Sequence, residues 1–294
     1  MFAQFFGAYL LNKKLVTPEE LTQAFEDKNK TRMRLGVLAI NAGLMTAEQV
    51  EYVNVAQQSV DKRFGDLAVE LGYITKDQVE ELLAQQPTEY LLLGQTLVNN
   101  GALSNSDFEA AINDYKASNQ FSDEDLVENT SESISKLVSV FYHLEKAENA
   151  RVLTNYVSML FKNIVRFVGS DFTPLTSSAV RDFSANYLVT QKITGGVNGI
   201  TCIAADSAEY LEFAKRFAGE SFTEVDDFVN ETVGEFLNIQ NGLFAVNESN
   251  ENGLELTMTP QTRSSDGKIV FEKAAFSIPV AFSFGEIVFI ISIE

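Results

Sequence analysis

The chain has 294 residues, enough for two ordinary domains, and its 45% hydrophobic and 21% charged residues exclude a disordered protein. With 22 basic against 41 acidic side chains it carries a formal charge of -19, which disfavours general binding to nucleic acid or to an anionic membrane surface. A single cysteine, Cys202, excludes an internal disulfide and a multi-cysteine metal cluster. The start lacks a basic leader and no stretch reaches the roughly 18 apolar residues of a membrane span, so a cytoplasmic protein without membrane insertion is expected.

The first half repeats. Phe6-Gly7, Leu35-Gly36, Phe64-Gly65 and Leu93-Gly94 fall into register at a spacing of 29 residues, as do Val16, Met45, Ile74 and Leu103, and then Leu21, Val50, Val79 and Phe108. Four coincident copies mark a repeated structural unit. Each reads as a short helix, a turn and a longer helix. Gly43, Gly72 and Gly101 mark the turn in three copies and Lys14 replaces glycine in the first. Thr17 with Glu20, Thr46 with Gln49, and Thr75 with Gln78 have capping-box spacing, and Ser104 with Asp107 is a weaker version.

These residues resemble the N-terminal domain of the GspE/MshE type, over about residues 1–116. Some members of that family bind cyclic di-GMP through tandem motifs that begin Arg-Leu-Gly and end in Gln. Arg34-Leu35-Gly36 through Gln57 and Arg63-Phe64-Gly65 through Gln86 match in length and spacing. The resemblance implies that the two guanidiniums meet phosphates while the glycines allow close backbone approach. The alternative is a helical docking module whose Arg34 and Arg63 are solvent-facing helix-start residues. Phe5 and Leu92 stand at the arginine position of the outer copies, so only the central pair has the motif.

Near Asn119 the repeat stops. Residues 118–132 are polar and acidic, with Asp123, Glu124, Asp125 and Glu128 close together, and read as a linker. Apolar residues then recur at helical spacing from Ser131 to about Val168, divided near 145–149. His143 has no metal-ligand cluster or nucleophile beside it in sequence and reads as a helix-surface residue. Beyond Pro174 the pattern becomes strands around 185–189 and 197–203, a helix over 208–217, a second helix over 224–239, and strands at 243–246, 253–258, 269–278 and 287–293. Pro279 is expected to mark a break, an edge or a bulge.

In the helix over 224–239, Val225, Phe228, Val229, Val233 and Phe236 form an apolar arc at about 100° per residue, while Glu231, Glu235 and Asn238 share the opposite side. Gly234 removes side-chain bulk beside them, as an approaching surface would require. From about Asn149 to Glu294 the chain resembles the CheX-like branch of the CheC/CheX/FliM family. The local match is Gly234-Glu235-Phe236-Leu237-Asn238 followed by Gly242. In active relatives the acid pairs with a conserved lysine of a response-regulator receiver, and the amide reaches the aspartyl phosphate and positions the attacking water. Those roles fall on Glu235 and Asn238, flanked for docking by Glu231 and Gly234. The receiver supplies its own magnesium, and no intrinsic cofactor is implied. Glu231 stands where relatives have Asp or Ser, and Val246 replaces a later proline. Relatives can form homodimers through this domain.

The expected fold class is α+β overall, an all-helical N-terminal repeat domain followed by a CheX-like α/β sandwich-type domain with long helices packed on a β-sheet. The expected domains are 1–118, an acidic linker and helical connector at 119–148, and 149–294. The expected function is dephosphorylation of a receiver's aspartyl phosphate, regulated through the N-terminal repeats. The alternative is a noncatalytic receiver-docking adaptor or a cyclic di-GMP-responsive scaffold.

Overall fold

Each N-terminal repeat folds as a helix, a left-handed turn and a second helix, in a computed structural model that describes residues 1–85, 88–119, 121 and 130–293. The pairs are α1 (Phe2–Asn12) with α2 (Pro18–Asp27), α3 (Leu35–Asn41) with α4 (Ala47–Gln57), α5 (Phe64–Glu70) with α6 (Lys76–Ala84), and α7 (Glu89–Asn99) with α8 (Asn105–Asn119). Gly43, Gly72 and Gly101 make the turns at φ of 66, 74 and 77°, and Lys14 adopts φ 58° in the first repeat. The three threonine capping boxes are all formed. Ser104 and Asp107 exchange the same pair of bonds at 3.0 and 3.1 Å, and the Ser104 hydroxyl and backbone hold the Asp107 carboxyl below its usual range.

The other glycine series has a packing origin. A Cβ on Gly36 would lie 2.7 Å from Val50, one on Gly94 2.2 Å from Phe108, one on Gly65 3.2 Å from Val79, and one on Gly7 3.1 Å from Leu21. Leu21, Val50, Val79 and Phe108 occupy one equivalent position. In every copy the first helix therefore rests directly on the second, with glycine giving the clearance. Gly7 and Gly94 give the same clearance in the copies that lack the arginine, so glycine at this position answers to packing in all four repeats.

The chain divides into two compact units, Phe2–Asn129 and Thr130–Glu294. Asp123, Glu124, Asp125 and Glu128 of the expected linker lie outside the described residues. From Thr130, whose hydroxyl caps α9 (Ser131–Phe141), the expected connector belongs to the C-terminal unit. There α9 packs on α10 (Ala150–Phe167). Between them His143 is exposed at φ 53° and Asn149 adopts φ 64°.

Six antiparallel strands follow: β1 (Phe172–Pro174), β2 (Ser178–Gly195), β3 (Gly199–Ala205), β4 (Leu256–Met258), β5 (Thr262–Phe282) and β6 (Gly285–Ile293). Their order is β1-β5-β6-β3-β2-β4, and an additional pairing of β2 with β5 closes β5, β6, β3 and β2 into a ring. Alternation along the strands separates two buried sides. Leu188, Cys202, Ala204, Phe271, Ala275 and Ile290 form a core cluster on one. On the other, α11 (Ser207–Ala218) and α12 (Asp227–Asn252) cover the sheet through a cluster in which Phe236 lies 5.0 Å from Phe213 and 6.2 Å from Phe289 between ring centroids. Burial in the core cluster pushes the Cys202 thiol well above its ordinary pKa.

Three expectations need correction or narrowing. The segment 243–246 is not a strand but the continuation of α12, which runs 26 residues. Asn241 and Gly242 are accommodated inside the helix, with the Asn241 amide bonded to the sheet. Second, Phe228 leaves the apolar arc and is 53% exposed. Third, Pro279 does not break β5, and of the expected break, edge or bulge it takes the edge. It sits in β5 where the pairing with β2 ends at Ser178↔Ser277 and the pairing with β1 begins at Pro174↔Val280, the place where a missing N–H costs least.

Gly94→Ala is expected to destabilise the N-terminal unit by about 1–3 kcal/mol, the range for overpacking a filled interior. Urea denaturation followed by tyrosine fluorescence and circular dichroism measures this, and an unchanged midpoint would contradict the tight crossing of α7 and α8.

Candidate functional site

Helix α12 carries the site and is held at both ends. Asp226 accepts a bond from the Val229 N–H at 2.9 Å, and Gly253 ends the helix in the left-handed conformation at φ 66°. Val229, Val233, Phe236, Leu237 and Phe244 are buried on its inner side. Glu231 and Glu235 are exposed on the outer side, and Asn238 is half-buried beside them. The Asn238 Nδ2 donates to Glu235 Oε2 at 3.4 Å, so the expected pair is brought together.

Gly234 has a different occupant from the one expected. A Cβ there would meet the Arg263 guanidinium at 3.3 Å, so the vacant volume is taken by an arginine from β5 of the same chain rather than left for a partner. Arg263 also lies 3.9 Å from Glu231, through Nη1 and Oε1. Phe217, Phe228, Glu231, Glu235, Gln261 and Arg263 border a groove of about 430 Å³ alongside the Glu235 face.

Beneath Asn238 lies a polar ladder that the sequence reading missed. Gln191 of β2 donates from Nε2 to Asn238 Oδ1 at 3.1 Å and to the Thr259 carbonyl at 2.9 Å. Its Oε1 accepts from Asn241 Nδ2 at 2.8 Å. Asn241 Nδ2 also donates to Thr201 Oγ1 at 2.8 Å, and Asn241 Oδ1 accepts from the Tyr156 hydroxyl at 2.9 Å. Gln191, Thr201 and Asn241 are all buried, so each polar atom needs such a partner. Burial also drives the Tyr156 pKa well above its ordinary value, which keeps the hydroxyl protonated and able to donate. The available signal was polarity out of register: Tyr187, Val189, Gln191 and Ile193 alternate on the helix-facing side of β2, and a glutamine in that apolar series requires an internal partner.

A second buried set ties α12 to α10. Glu248 is fully buried, accepts from Arg151 and Asn155 at 2.8 Å each, and accepts from Asn252 at 3.1 Å. Asn163 and Gln240 pair at 2.7 Å further along the same interface.

In the N-terminal unit the motif residues are divided. Arg34, Leu35, Gly36, Gln57 and Phe64 border one cavity of about 280 Å³, together with Asn54. Gly65 borders another of about 570 Å³ with Lys62, Asp66, Glu70 and Lys76. Arg34 and Arg63 are both exposed, each immediately before its short helix. The Gln57 side chain donates to the Lys62 carbonyl at 2.8 Å, and Gln86 lies outside the described residues. Among the described residues no group of three or more His, Cys, Asp or Glu is arranged to hold a metal, and no helix is long and apolar enough to cross a membrane.

Residues 187–281 match the family described as chemotaxis phosphatase CheX, so the C-terminal unit contains a CheX-like domain. The match begins in β2 just before Gln191 and spans α12 and nearly all of β5. No curated protein matches the chain. Solved structures similar to this half include a CheC-like superfamily protein from Shewanella sp. PV-4, at 18% identity over 50% of this chain and 99% of that one, with a TM-score of 0.45. They also include the chemotaxis protein CheX from Vibrio vulnificus, at 17% identity over 49% of this chain and 99% of that one, with a TM-score of 0.43. A third is the CheX–CheY–BeF3–Mg complex from Borrelia burgdorferi, at 16% identity over 49% of this chain and 97% of that one, with a TM-score of 0.39.

Tyr156→Phe removes one donor and leaves the buried Asn241 carbonyl short of a partner. The expected cost is about 1–3 kcal/mol in chemical denaturation of the C-terminal unit. A change indistinguishable from zero would show that the ladder does not depend on this hydroxyl.

Proposed function

We propose that the CheX-like domain dephosphorylates the aspartyl phosphate of a response-regulator receiver, with Glu235 docking the receiver and Asn238 orienting the attacking water. The observation that supports this most directly is the pairing of an exposed carboxylate with an amide one helical turn away whose orientation is set from below. Glu231 and Phe228 extend the same face along the groove bordered by Arg263.

The chemistry asks little of this chain. Water oxygen bonds to phosphorus, the phosphorus–oxygen bond to the receiver's aspartate breaks, and the products are a free carboxylate and inorganic phosphate. The magnesium that offsets the phosphoryl charge is the receiver's own. An amide suits the remaining task because it forms hydrogen bonds with water or phosphoryl oxygen without adding negative charge beside the phosphate. Glu235, being negative, is fitted to a cation on the receiver and unfitted to approach the phosphoryl group itself. No covalent intermediate forms on this chain, so catalysis is positioning.

Asn238→Ala is expected to lower the rate of receiver dephosphorylation by about 100-fold or more while receiver binding persists. Glu235→Lys is expected to weaken receiver binding instead, measured by titration with a beryllofluoride-treated receiver. Binding without any acceleration of phosphate release by the wild-type protein would select the adaptor reading.

For the N-terminal unit we propose a GspE/MshE-type repeat domain, supported by four helix pairs on one glycine-based crossing. Its control of the C-terminal unit is part of the same proposal. The cavity beside Arg34, Gly36 and Gln57 is the candidate cyclic di-GMP site, and the motif alone makes Arg63 the second guanidinium. Calorimetric titration is expected to show binding that Arg34→Ala and Arg63→Ala each remove. Absence of heat with the wild-type chain at high ligand concentration would leave the repeats a docking module.

A further inference from the structure

The hydrogen-bond ladder under Asn238 has a determined direction, and the direction follows from two backbone carbonyls that can only accept. The Thr259 carbonyl accepts from one end of the Gln191 side chain at 2.9 Å, so that end is the NH2 group. The Gln191 backbone carbonyl accepts from the Thr201 hydroxyl at 3.2 Å, so Thr201 donates there and its oxygen is left to accept from Asn241 at 2.8 Å. Asn241 thereby has its NH2 toward Thr201 and Gln191 Oε1, and its carbonyl toward the Tyr156 hydroxyl. Each member constrains the next.

At the top of the ladder, the same Gln191 NH2 that is fixed by Thr259 faces Asn238 at 3.1 Å. A donor there requires an acceptor, so the Asn238 oxygen points inward. Its NH2 points toward Glu235 and the open surface. The reversed amide would set one NH2 against another.

The geometry points to Gln191 as the positioning residue of the site: it holds the Asn238 amide with its oxygen bound inside and its N–H groups presented to the phosphoryl group and the attacking water. This inference rests on the reading of Asn238 as the reactive amide. It adds a residue on a strand 47 positions away from that helix residue and states which end of the amide faces the substrate. Gln191 itself touches nothing that reacts. It acts by removing the alternative amide orientation and by restricting rotation of a side chain that is only half-buried.

Gln191→Glu tests this with almost no change in shape. The carboxylate can still accept from Asn241, but it no longer donates to Thr259 or to Asn238 and attracts the Asn238 NH2 inward. The expected result is a fall of about 100-fold in the maximal rate of receiver dephosphorylation, with half-saturation changed by less than about threefold. In the 15N–1H spectrum of the full chain, the Asn238 side-chain resonance, assigned by its loss in Asn238→Ala, is expected to shift. Gln191→Leu, which removes every polar atom from the position, should act in the same direction. Circular dichroism confirms folding, and if the leucine variant unfolds the glutamate variant decides alone.

Wild-type turnover in Gln191→Glu, beside an inactive Asn238→Ala, would overturn the positioning role and leave the phosphatase reading intact. Absence of turnover in the wild-type protein would remove the phosphatase reading instead. The spectrum then decides separately: an unmoved Asn238 resonance overturns the role of Gln191, and a shifted one supports it.

Discussion

Asn241 has no exposed surface, and its amide must therefore find every hydrogen bond inside the protein. Its partners come from three directions: Tyr156 on α10, Thr201 on β3 and Gln191 on β2. Apolar packing of α12 on the sheet would tolerate small translations and rotations of the helix at little cost. A buried amide with directional partners on three elements does not, since a shift breaks several bonds at once and leaves polar atoms without water. The setting of α12 follows from this constraint, and with it the outward direction of Glu235 and Asn238.

The same helix shows how the site is separated from the core that supports it. Phe236 is packed among Phe213, Phe217 and Phe289, and Glu248 is anchored to Arg151 and Asn155 two turns beyond Asn241. Gly234 and Gly242 each weaken an isolated helix by roughly 1 kcal/mol relative to alanine. Tertiary contacts outweigh that preference, and at Gly234 the space admits Arg263 from β5. The groove beside Glu235 is thus lined by both acidic and basic groups of this chain.

The N-terminal unit is organised by a different constraint, repeated four times. Gly7, Gly36, Gly65 and Gly94 let each first helix lie on Leu21, Val50, Val79 or Phe108 of the second. The arginines that precede Leu35 and Phe64 remain exposed and take no part in that packing. The scaffold and the candidate ligand residues are therefore independent: four copies keep the crossing, while two carry the guanidinium.

Capping, turns and amphipathic faces were legible in the sequence because they are set by residues three or four positions apart, or alternating along one strand. The helix pairs, the threonine boxes, the left-handed turns, most of the sheet strands and the adjacency of Glu235 to Asn238 belong to this class. Local reading failed where a distant partner overrode a local signal. The segment 243–246 has the pattern of a strand, yet α12 continues through it, with Asn241 satisfied by Thr201 and Gln191. Only the tertiary structure decided that Phe228 is exposed, that Arg263 fills the place beside Gly234, and that Gln191 turns the Asn238 amide, since these depend on groups brought together across 29 to 85 positions of chain or on the elements that cover a face. Residue type and spacing determined which side chains share a helix face; the directional bonds of buried polar groups determined what each of them points at.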